Sequence, residues 1–352
     1  MTADAPPQPS GPARPPPPEL APPLPAELQV EVTSACNLRC AMCLVSYRPP
    51  VNKVTGAMPP EMFAALVDSL PELRRLTLQG LGEPLLSPYL LDMVRLAKAR
   101  GIVVGFNSNA TLLSRRMAAE LVAAGLDWLH VSLDGASAAT FEGIRAGADF
   151  DRVVANLAGL VAAKRAAGSA TPWVRAVFVA MRRNVAELPD LVRLLARIGV
   201  DELRVQNLSH TFSDTDPAGR YAGIRRFTAR EALWTGAGGD ADAVRRAFEA
   251  ARAAADEHGL LLRLPRLAPT AARQESGPGC TWPWDAAYVT SAGVVQPCCM
   301  VMGDDRIALG RLDEQSFPEI WYGEPYREFR RRLAGDRPPD VCRGCALYHR
   351  TF

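Results

Sequence analysis

The sequence predicts an α/β protein in which a parallel sheet curls into a barrel and is followed by a small cysteine-rich module. Three observations support this fold. Short apolar runs alternate with longer segments whose apolar residues recur at helical spacing, glycines stand just past four of those segments, and the 8 cysteines fall into two groups near opposite ends of the chain. A chain of 352 residues can form a large barrel and an appended module.

The predicted strands are rich in Val, Leu and Ile, as expected of parallel strands that are covered on both faces. They are Leu28–Val32, Leu73–Gln79, Ile102–Asn107, Trp128–Leu133, Trp173–Met181 and Glu202–Leu208. The segments with helical spacing between them are Glu61–Leu70, Tyr89–Arg100, Ser114–Ala124, Phe150–Ala167 and Leu188–Ile198. The glycines that follow four of these helices are Gly101, Gly125, Gly168 and Gly199. Alternation of this kind predicts a closed or nearly closed barrel.

The chain divides into four predicted segments. Residues 1–24, mostly Pro, Ala and small polar residues, are expected to form a disordered tail. The barrel core follows at 25–208, a connector with a core-completing helix at 209–265, and the cysteine-rich module at 266–352.

Within the last two segments the sequence predicts three further features. The connector begins with a long polar, glycine-containing stretch and ends in a helix from Ala241 to about His258. The module contains a hairpin of Ala287–Thr290 and Val294–Gln296 and a last helix from Phe317 to Leu333.

Charge and hydropathy give no support to binding of nucleic acid or of a membrane. The formal net charge is +2, and 22% of residues are charged, which gives no basic surface of the kind that binds nucleic acid non-specifically. The chain has neither an export signal nor an apolar run of about 18 residues, so we expect a cytoplasmic protein without a membrane partner. Cysteines that stay reduced and lie close together indicate metal binding rather than disulfides.

The first cysteine group follows the first predicted strand, on a loop at the carboxyl end of the sheet. Its spacing is Cys36-x3-Cys40-x2-Cys43. Three thiolates can hold three corners of a cubane cluster and leave one iron without a protein ligand, which is what a catalytic site needs. A structural zinc site, or three unrelated buried thiols, is the alternative.

Polar groups also follow the next three strands. They are Gly80-Leu81-Gly82-Glu83-Pro84, Asn107-Ser108-Asn109 and Ser132-Leu133-Asp134-Gly135. Each of these alone is typical of a turn or a helix cap. Because each stands at the end of a strand, their side chains are expected to meet at the barrel mouth.

Together with the cysteine loop, these elements resemble the motifs of the radical S-adenosylmethionine (SAM) superfamily. The likeness extends to Phe141-Glu142-Gly143-Ile144-Arg145, and Leu81 departs from it by standing where the first glycine of a Gly-Gly-Glu-Pro motif is usual. The resemblance implies a partial (β/α)6 TIM-like barrel, a [4Fe–4S] cluster on the three cysteines, and SAM on the open iron. The residues that it implies for SAM binding are Gly80, Gly82, Glu83, Asn109, Ser132 and Asp134.

The same resemblance implies a reaction. A reduced cluster cleaves SAM to methionine and a 5′-deoxyadenosyl radical, which abstracts hydrogen from a substrate carbon. An external electron donor such as flavodoxin or ferredoxin is implied as a partner.

The second cysteine group offers four thiolates from three segments. They are Cys280, Cys298, Cys342 and Cys345. Spacing alone does not decide between zinc and an iron–sulfur centre. Behind a radical SAM core, however, the group resembles the auxiliary-cluster domain called SPASM, or its one-cluster form, twitch, which implies one auxiliary [4Fe–4S] cluster. Cys299 is expected to be a buried thiol, although it competes with its neighbour Cys298 for the ligand position.

These resemblances imply an oxidoreductase that carries out a dehydrogenation or epimerisation on a small polar natural-product or sugar-like substrate. The first alternative is a peptide or protein maturase, for which the sequence shows no leader-peptide-binding domain. The second is a non-enzymatic scaffold with two zinc sites. No acid–base residue can be assigned; the substrate-side candidates are Asp285, Tyr288, Arg175 and His210, and Gln206 and Asn207 are further candidates for the barrel lining.

Overall fold

A computed structural model describes residues 20–47, 56–208, 219, 221–233, 241–265, 280–301, 306–345 and 347–348. The strands are β1 (Glu27–Val30), β2 (Arg39–Cys40), β3 (Arg75–Thr77), β4 (Val103–Ser108), β5 (Trp128–Ser132), β6 (Arg145–Ala146), β7 (Trp173–Ala180), β8 (Glu202–Asn207), β9 (Leu261–Arg263), β10 (Ala286–Val289), β11 (Val294–Gln296) and β12 (Gly310–Arg311).

The α-helices are α1 (Leu44–Tyr47), α2 (Pro60–Asp68), α3 (Leu90–Ala99), α4 (Arg115–Ala123), α5 (Ala138–Ile144), α6 (Phe150–Ala166), α7 (Leu188–Ile198), α8 (Ala222–Glu231), α9 (Ala241–His258), α10 (Trp282–Asp285), α11 (Phe317–Trp321), α12 (Glu324–Ala334) and α13 (Asp340–Arg343). None of the helices in the described part of the chain combines the length and the apolar character that crossing a bilayer requires.

The main sheet confirms the predicted barrel strands. Its order is β12-β11-β10-β1-β3-β4-β5-β7-β8-β9, and every pair from β1 to β9 is parallel. The polar groups that follow β1, β3, β4 and β5 therefore stand at one edge of the sheet. The short strands β2 and β6 pair with each other outside this sheet.

The helices cover the sheet with the faces that their spacing predicts. In α7, the residues Leu188, Leu191, Val192 and Leu195 are buried. The helix ends at Gly199, whose φ of +87° closes the last turn in the left-handed region that glycine enters without steric cost. The other glycines predicted to follow helices, at 101, 125 and 168, also have positive φ.

The predicted hairpin is present, but it joins the barrel sheet instead of standing apart. Strand β10 runs parallel to β1, with Ala287 opposite Leu28, and β11 pairs antiparallel with β10. All four residues of β10 are buried. The edge of β1 would otherwise present unpaired backbone groups, so adding β10 satisfies them.

The predicted last helix, Phe317 to Leu333, is wrong in one respect, because the structure divides it into α11 and α12. Gly323 caps α12, and Pro325 stands in the first turn of that helix. A proline ring would clash with the carbonyl four residues earlier in a continuous helix, whereas a first turn accepts it.

The predicted tail also ends earlier than Leu24. Trp321 Nε1 donates to the carbonyls of Pro22 and Pro23, and Arg330 Nη1 donates to the carbonyl of Leu20. Residues 20–24 therefore pack on the cysteine-rich module, and residues 1–19 lie outside the described residues.

The connector is only partly described. Helix α9 confirms the predicted helix, whereas α8 and the edge strand β9 were not predicted. Ile224, Phe227 and Thr228 on α8 are buried. A three-residue strand such as β9 gives too few positions for periodicity to reveal it.

Candidate active site

The first cysteine loop leaves β1 and is fixed by backbone pairing. Cys40 lies on β2 opposite Arg145 on β6. The amide of Cys43 donates to the carbonyl of Cys40 at 3.1 Å, and the amide of Ser46 donates to the carbonyl of Cys43 at 3.0 Å. The loop thus presents its three thiols from one compact turn.

Before metal binding, the surroundings of these three thiols disfavour the negatively charged thiolate form. Burial raises the pKa of Cys36, Cys40 and Cys43. Burial, together with the neighbouring thiols of Cys40 and Cys36, raises the pKa of Cys43 to about 11. Arg145 opposes this effect, with its Nη1 3.8 Å from Cys40 Sγ. Three close thiols beside one buried guanidinium fit a cluster whose ligands are thiolates, because metal binding expels the thiol protons and Arg145 offsets the resulting charge.

Asp134, which the sequence assigned to SAM, holds Arg145 in place. Its side chain is fully buried, and Oδ2 lies 2.6 Å from Arg145 Nη2. Oδ1 accepts from the amide of Val179 at 2.7 Å. Burial raises the pKa of Asp134 and the guanidinium of Arg145 lowers it. Asp134 is thus a positioning residue for the cationic side chain beside the cysteine loop.

Glu83 is also held by the protein. It is 3% exposed, and its carboxylate accepts from Ser108 Oγ at 2.6 Å, from the Asn109 amide at 2.7 Å and from the Leu85 amide at 3.2 Å. Burial raises the pKa of Glu83 and these hydrogen bonds lower it. The carboxylate therefore joins the turn after β3 to the end of β4.

Gly80 and Gly82 allow the turn after β3 to approach the cysteine loop closely. A Cβ on Gly82 would stand 2.1 Å from the carbonyl oxygen of Thr33, and a Cβ on Gly80 would stand 2.3 Å from Glu31 Cγ. Glu83 donates its amide to the carbonyl of Ala35 at 2.8 Å. No larger residue fits either position without movement of the loop.

Asn109 ties the end of β4 to the cysteine loop. Its Nδ2 donates to Asn37 Oδ1 at 3.0 Å, and its Oδ1 accepts from the Thr111 amide at 3.0 Å. Ser132 ends β5, two residues before Asp134, and is half-buried. The structure thus brings all the predicted SAM-side residues to the edge of the sheet that carries the cysteine loop.

The second cysteine group encloses its own cavity. Cys280, Cys298, Cys342 and Cys345 all line it, and its other walls include Phe329 and Leu333. Burial, with a smaller contribution from neighbouring thiols, raises the pKa of Cys280, Cys298 and Cys342, that of Cys280 to about 11. Four thiols around one cavity fit a fully ligated cluster.

Cys299 does not line this cavity, although it is half-buried and its pKa is raised to about 12 by desolvation and by nearby thiols. This difference favours Cys298 as the ligand of the adjacent pair. All eight cysteines are free thiols in the structure. Within the described residues, no group of three or more His, Cys, Asp or Glu side chains is arranged to hold a single metal ion.

A second cavity, of about 220 Å³, occupies the barrel lumen. Each of the six barrel strands contributes a polar side chain to its wall: Gln29, Thr77, Asn107, His130, Arg175 and Arg204. Trp282 on α10 closes one side. Of the substrate-side candidates, Arg175 lines this lumen cavity, while Tyr288 donates its hydroxyl to Glu31 Oε2 at 3.0 Å. Asp285, Gln206 and Asn207 do not line it, and His210 lies outside the described residues.

The barrel, the cysteine loop and the glycine turn together define a radical SAM protein. The sequence model of the radical SAM superfamily matches residues 30–195, and that of the SPASM iron–sulfur cluster-binding domain matches residues 280–346. The chain belongs to the radical SAM superfamily and carries a SPASM domain at its carboxyl end. It is therefore an enzyme that uses a [4Fe–4S] cluster with SAM, and its SPASM domain carries auxiliary iron–sulfur.

Solved structures show the same fold. SuiB of Streptococcus suis bound to S-adenosylmethionine is 17% identical with a TM-score of 0.66, and the match covers 92% of this chain and 71% of that one. The protein anSMEcpe with bound AdoMet is 17% identical with a TM-score of 0.59, and the match covers 93% and 88% of the two chains.

Curated relatives differ in how much of the chain they share. A tungsten-containing aldehyde ferredoxin oxidoreductase cofactor-modifying protein of Pyrococcus furiosus is 34% identical over 51% of this chain and 51% of its own length. Mycofactocin maturase MftC of Mycobacterium tuberculosis is 32% identical over 53% of this chain and 45% of its own. The chain thus spans about half the length of these relatives. An AdoMet-dependent heme synthase of Methanosarcina barkeri is 28% identical over 90% of this chain and 89% of its own length.

Proposed function

We propose that this chain is an oxidoreductase that removes hydrogen from a carbon atom of a small polar substrate, of natural-product or sugar-like type, in a dehydrogenation or epimerisation. One observation carries the proposal. Trp282 lines the lumen cavity, and Cys280, two residues earlier, lines the cavity of the second cysteine group. A substrate in the lumen would therefore lie beside the segment that carries an auxiliary-cluster ligand, which suits electron transfer between them.

The proposed ligands of the first cluster are Cys36, Cys40 and Cys43. When bound, the cluster and SAM supply one-electron chemistry that removes a hydrogen atom from an unactivated carbon. Gly80 and Gly82 keep the neighbouring turn close to the cysteine loop.

Four further residues of the predicted SAM-binding set complete the cofactor side. Glu83 and Asn109 join the turn after β3 and the end of β4 to that loop, and Asp134 orients Arg145 against Cys40. Ser132, on the inward face of β5, is proposed to contact the cofactor.

The proposed ligands of the auxiliary cluster are Cys280, Cys298, Cys342 and Cys345. A complete set of four thiolates leaves no iron open to substrate, so its role is to take up or return an electron. An external donor such as flavodoxin or ferredoxin is proposed to reduce the first cluster. The lumen wall orients the substrate through its polar side chains and, by enclosing it, limits access of water.

Anaerobic reconstitution tests the proposal. We expect about eight irons per chain, 5′-deoxyadenosine when dithionite and SAM are added, and about four irons in a Cys36→Ala/Cys40→Ala/Cys43→Ala variant that forms none. A protein that retains all its iron in this variant, or that cleaves no SAM under strong reductant, would contradict the assignment.

The pair Cys298 and Cys299 provides a matched test of the auxiliary site. Cys298→Ala is expected to retain less iron than Cys299→Ala, because it removes one of the four thiols that line the cavity and leaves one cluster iron without a protein ligand. Iron and sulfide counts check this prediction, and the opposite order would make Cys299 the ligand.

Peptide maturation is a second candidate function, favoured by the likeness to mycofactocin maturase MftC over half of the chain. Mass spectrometry of reactions with candidate small molecules and candidate precursor peptides separates the two. A mass change confined to a peptide would replace the proposed substrate class and leave the radical chemistry in place.

A further inference from the structure

The wall of the barrel lumen contains charges that the reaction described above does not use. Glu202, on β8, is fully buried and pairs with two arginines, with Arg175 at 2.8 Å and with Arg263 at 3.3 Å. At the exposed end of the lumen cavity, Arg75 lies 4.0 Å from Glu27. One buried carboxylate thus serves two guanidinium groups.

Arg204 is a further guanidinium in this wall and stands beside Arg175. Within the described part of the chain it makes no hydrogen bond or ion pair, although it is half-buried and lines the cavity. Burial lowers the pKa of Arg204, the positive charges of Arg175 and Arg263 lower it further, and the carboxylate of Glu202 offsets part of this without forming an ion pair with Arg204. A guanidinium that is partly removed from water and lacks a carboxylate partner is stabilised when an anion enters.

Neutral groups of the same cavity are also without partners. Asn107 Oδ1 and Trp128 Nε1 are buried and make no hydrogen bond within the described residues, and both side chains line the cavity. His130 lies between them and the arginines, and its Nε2 accepts from Arg175 Nη1 at 3.1 Å, since a guanidinium only donates. The cavity therefore offers a free cation, a free acceptor and a free donor in one enclosed space.

We propose that this cavity binds the carboxylate of the substrate and that Arg204 is the residue that selects it. The proposal rests on the proposed function, because it places the substrate in the barrel lumen. The planar fork of Arg204 matches a carboxylate with two parallel hydrogen bonds. Asn107 Oδ1 accepts from a hydroxyl or amine of the same molecule, and Trp128 Nε1 donates to it.

The arrangement favours a singly charged carboxylate over a phosphate. Among the described residues Arg204 has no hydrogen-bond or ion-pair partner, while Glu202 already balances part of the charge of Arg175. The cavity also reaches the cofactor side of the barrel, because Gln79 lines it and directly precedes Gly80 of the glycine turn. The carboxylate is thus held in the lumen while the rest of the substrate extends towards the cysteine loop.

The test uses the full chain, reconstituted anaerobically, and measures the midpoint of thermal unfolding against ligand concentration. The probes are propionate, its neutral isostere propionamide and inorganic phosphate, at constant ionic strength. We expect propionate to raise the midpoint and propionamide to leave it unchanged, and we expect Arg204→Gln to weaken propionate binding by roughly tenfold or more. The matched control is Arg193→Gln, because Arg193 is an exposed arginine on α7 that pairs with Asp190 and lies outside the lumen.

Two further variants and probes keep the test decisive. Arg204→Lys retains the charge and loses the fork, so it should bind propionate with intermediate strength even if Arg204→Gln folds poorly. Acetyl-glycyl-glycine and its carboxamide repeat the comparison with a peptide carboxylate, and binding of the peptide acid in preference to propionate assigns the carboxylate to a peptide. Equal binding of propionate and propionamide, stronger binding of phosphate, or unchanged propionate binding in Arg204→Gln would overturn the proposal.

Cleavage of SAM without substrate separates this inference from the proposed function. Arg204→Gln is expected to keep its iron content, because Arg204 lines the lumen cavity and not the cavity of the second cysteine group. Uncoupled formation of 5′-deoxyadenosine is measured in the unaltered chain. Absence of carboxylate selectivity in the unaltered chain, with SAM cleavage intact, would overturn only the carboxylate site. Carboxylate binding by the unaltered chain, without any cleavage of SAM, would overturn only the proposed function.

Discussion

Single side chains near the cysteine loop act mainly through other residues. Asp134 and Glu83 are buried carboxylates whose oxygens are taken up by the protein, one by Arg145 and the Val179 amide, the other by groups at the end of β4. Buried charges of this kind are stable only in pairs or with hydrogen bonds. Asp134 and Glu83 therefore affect the reaction by holding neighbouring groups in position.

Removing Asp134 should destabilise the fold much more than removing an exposed aspartate. Asp134→Ala leaves Arg145 buried without its partner, so we expect the free energy of unfolding to fall by about 3–5 kcal/mol. Asp190→Ala, which removes an exposed partner of Arg193, should cost about 0.5 kcal/mol or less. Urea unfolding of the two variants checks this contrast, and equal effects would show that Arg145 finds another partner.

The imidazole of His130 should make stability depend on pH. Burial, followed by the charges of Arg175, Arg204 and Arg75, holds its pKa well below 6.5 in the folded protein. As pH falls below about 6.5, the unfolded chain binds a proton at this residue and the folded chain does not. This contribution therefore lowers the free energy of unfolding, by up to about 1.4 kcal/mol per pH unit, and is absent above about pH 7.5.

Urea unfolding between pH 7.5 and 5, compared with His130→Gln, isolates that contribution. The His130→Gln variant should lose the additional slope of the free energy of unfolding against pH. His258→Gln, at the exposed end of α9, should keep that slope. A slope that survives in His130→Gln would have to come from other groups.

At the scale of elements, the turn after β3 depends on close backbone contact. Gly82→Ala would place a Cβ 2.1 Å from the carbonyl oxygen of Thr33, so the cysteine loop and the turn must separate. We expect a loss of about 2 kcal/mol or more in the free energy of unfolding, together with less iron after reconstitution. Gly143→Ala on α5 is the matched control, because its Cβ meets nothing within 4 Å and the helix should gain up to about 1 kcal/mol.

Sequence patterns located most elements for a plain reason. Strands buried on both faces and amphipathic helices carry their signal within a few residues, and α7 and α9 begin and end where the pattern places them. The pattern could not show that α11 and α12 are separate, because their apolar positions continue across Gly323. Pro325 was the available signal, since a proline inside a helical pattern marks a new start.

At the scale of the whole molecule, Glu31 joins the barrel to the SPASM domain. It is 4% exposed, and its carboxylate accepts from the Leu81 amide at 2.8 Å, from Tyr288 Oη at 3.0 Å and from Ser291 Oγ at 3.0 Å. One side chain thus connects β1, the glycine turn and the hairpin of the second domain. Nothing in the sequence around Glu31 indicates this role, because its partners stand up to 260 residues away.

Glu31→Ala should therefore weaken both domains together. Four donors, including the Ser291 amide at 3.2 Å, lose a buried acceptor, so we expect the free energy of unfolding to fall by about 3 kcal/mol or more and the hairpin amides to exchange hydrogen faster. Glu27→Ala, on the same strand but exposed, should cost about 0.5 kcal/mol or less. Hydrogen exchange monitored by mass spectrometry checks whether the loss reaches β10 and β11, and a loss confined to β1 would contradict the joint role.

The sequence by itself determined the barrel strands, the cysteine sets and the turns that carry the cofactor-side residues, because each is a local pattern of residue types. Only the tertiary structure decided which of those residues meet. It paired Asp134 with Arg145, joined the hairpin to β1, and placed Arg204 beside Arg175 with no ion-pair partner in the described part of the chain. Such contacts depend on how distant strands align in the folded sheet, and that alignment is set by the packing of the whole core rather than by any short segment.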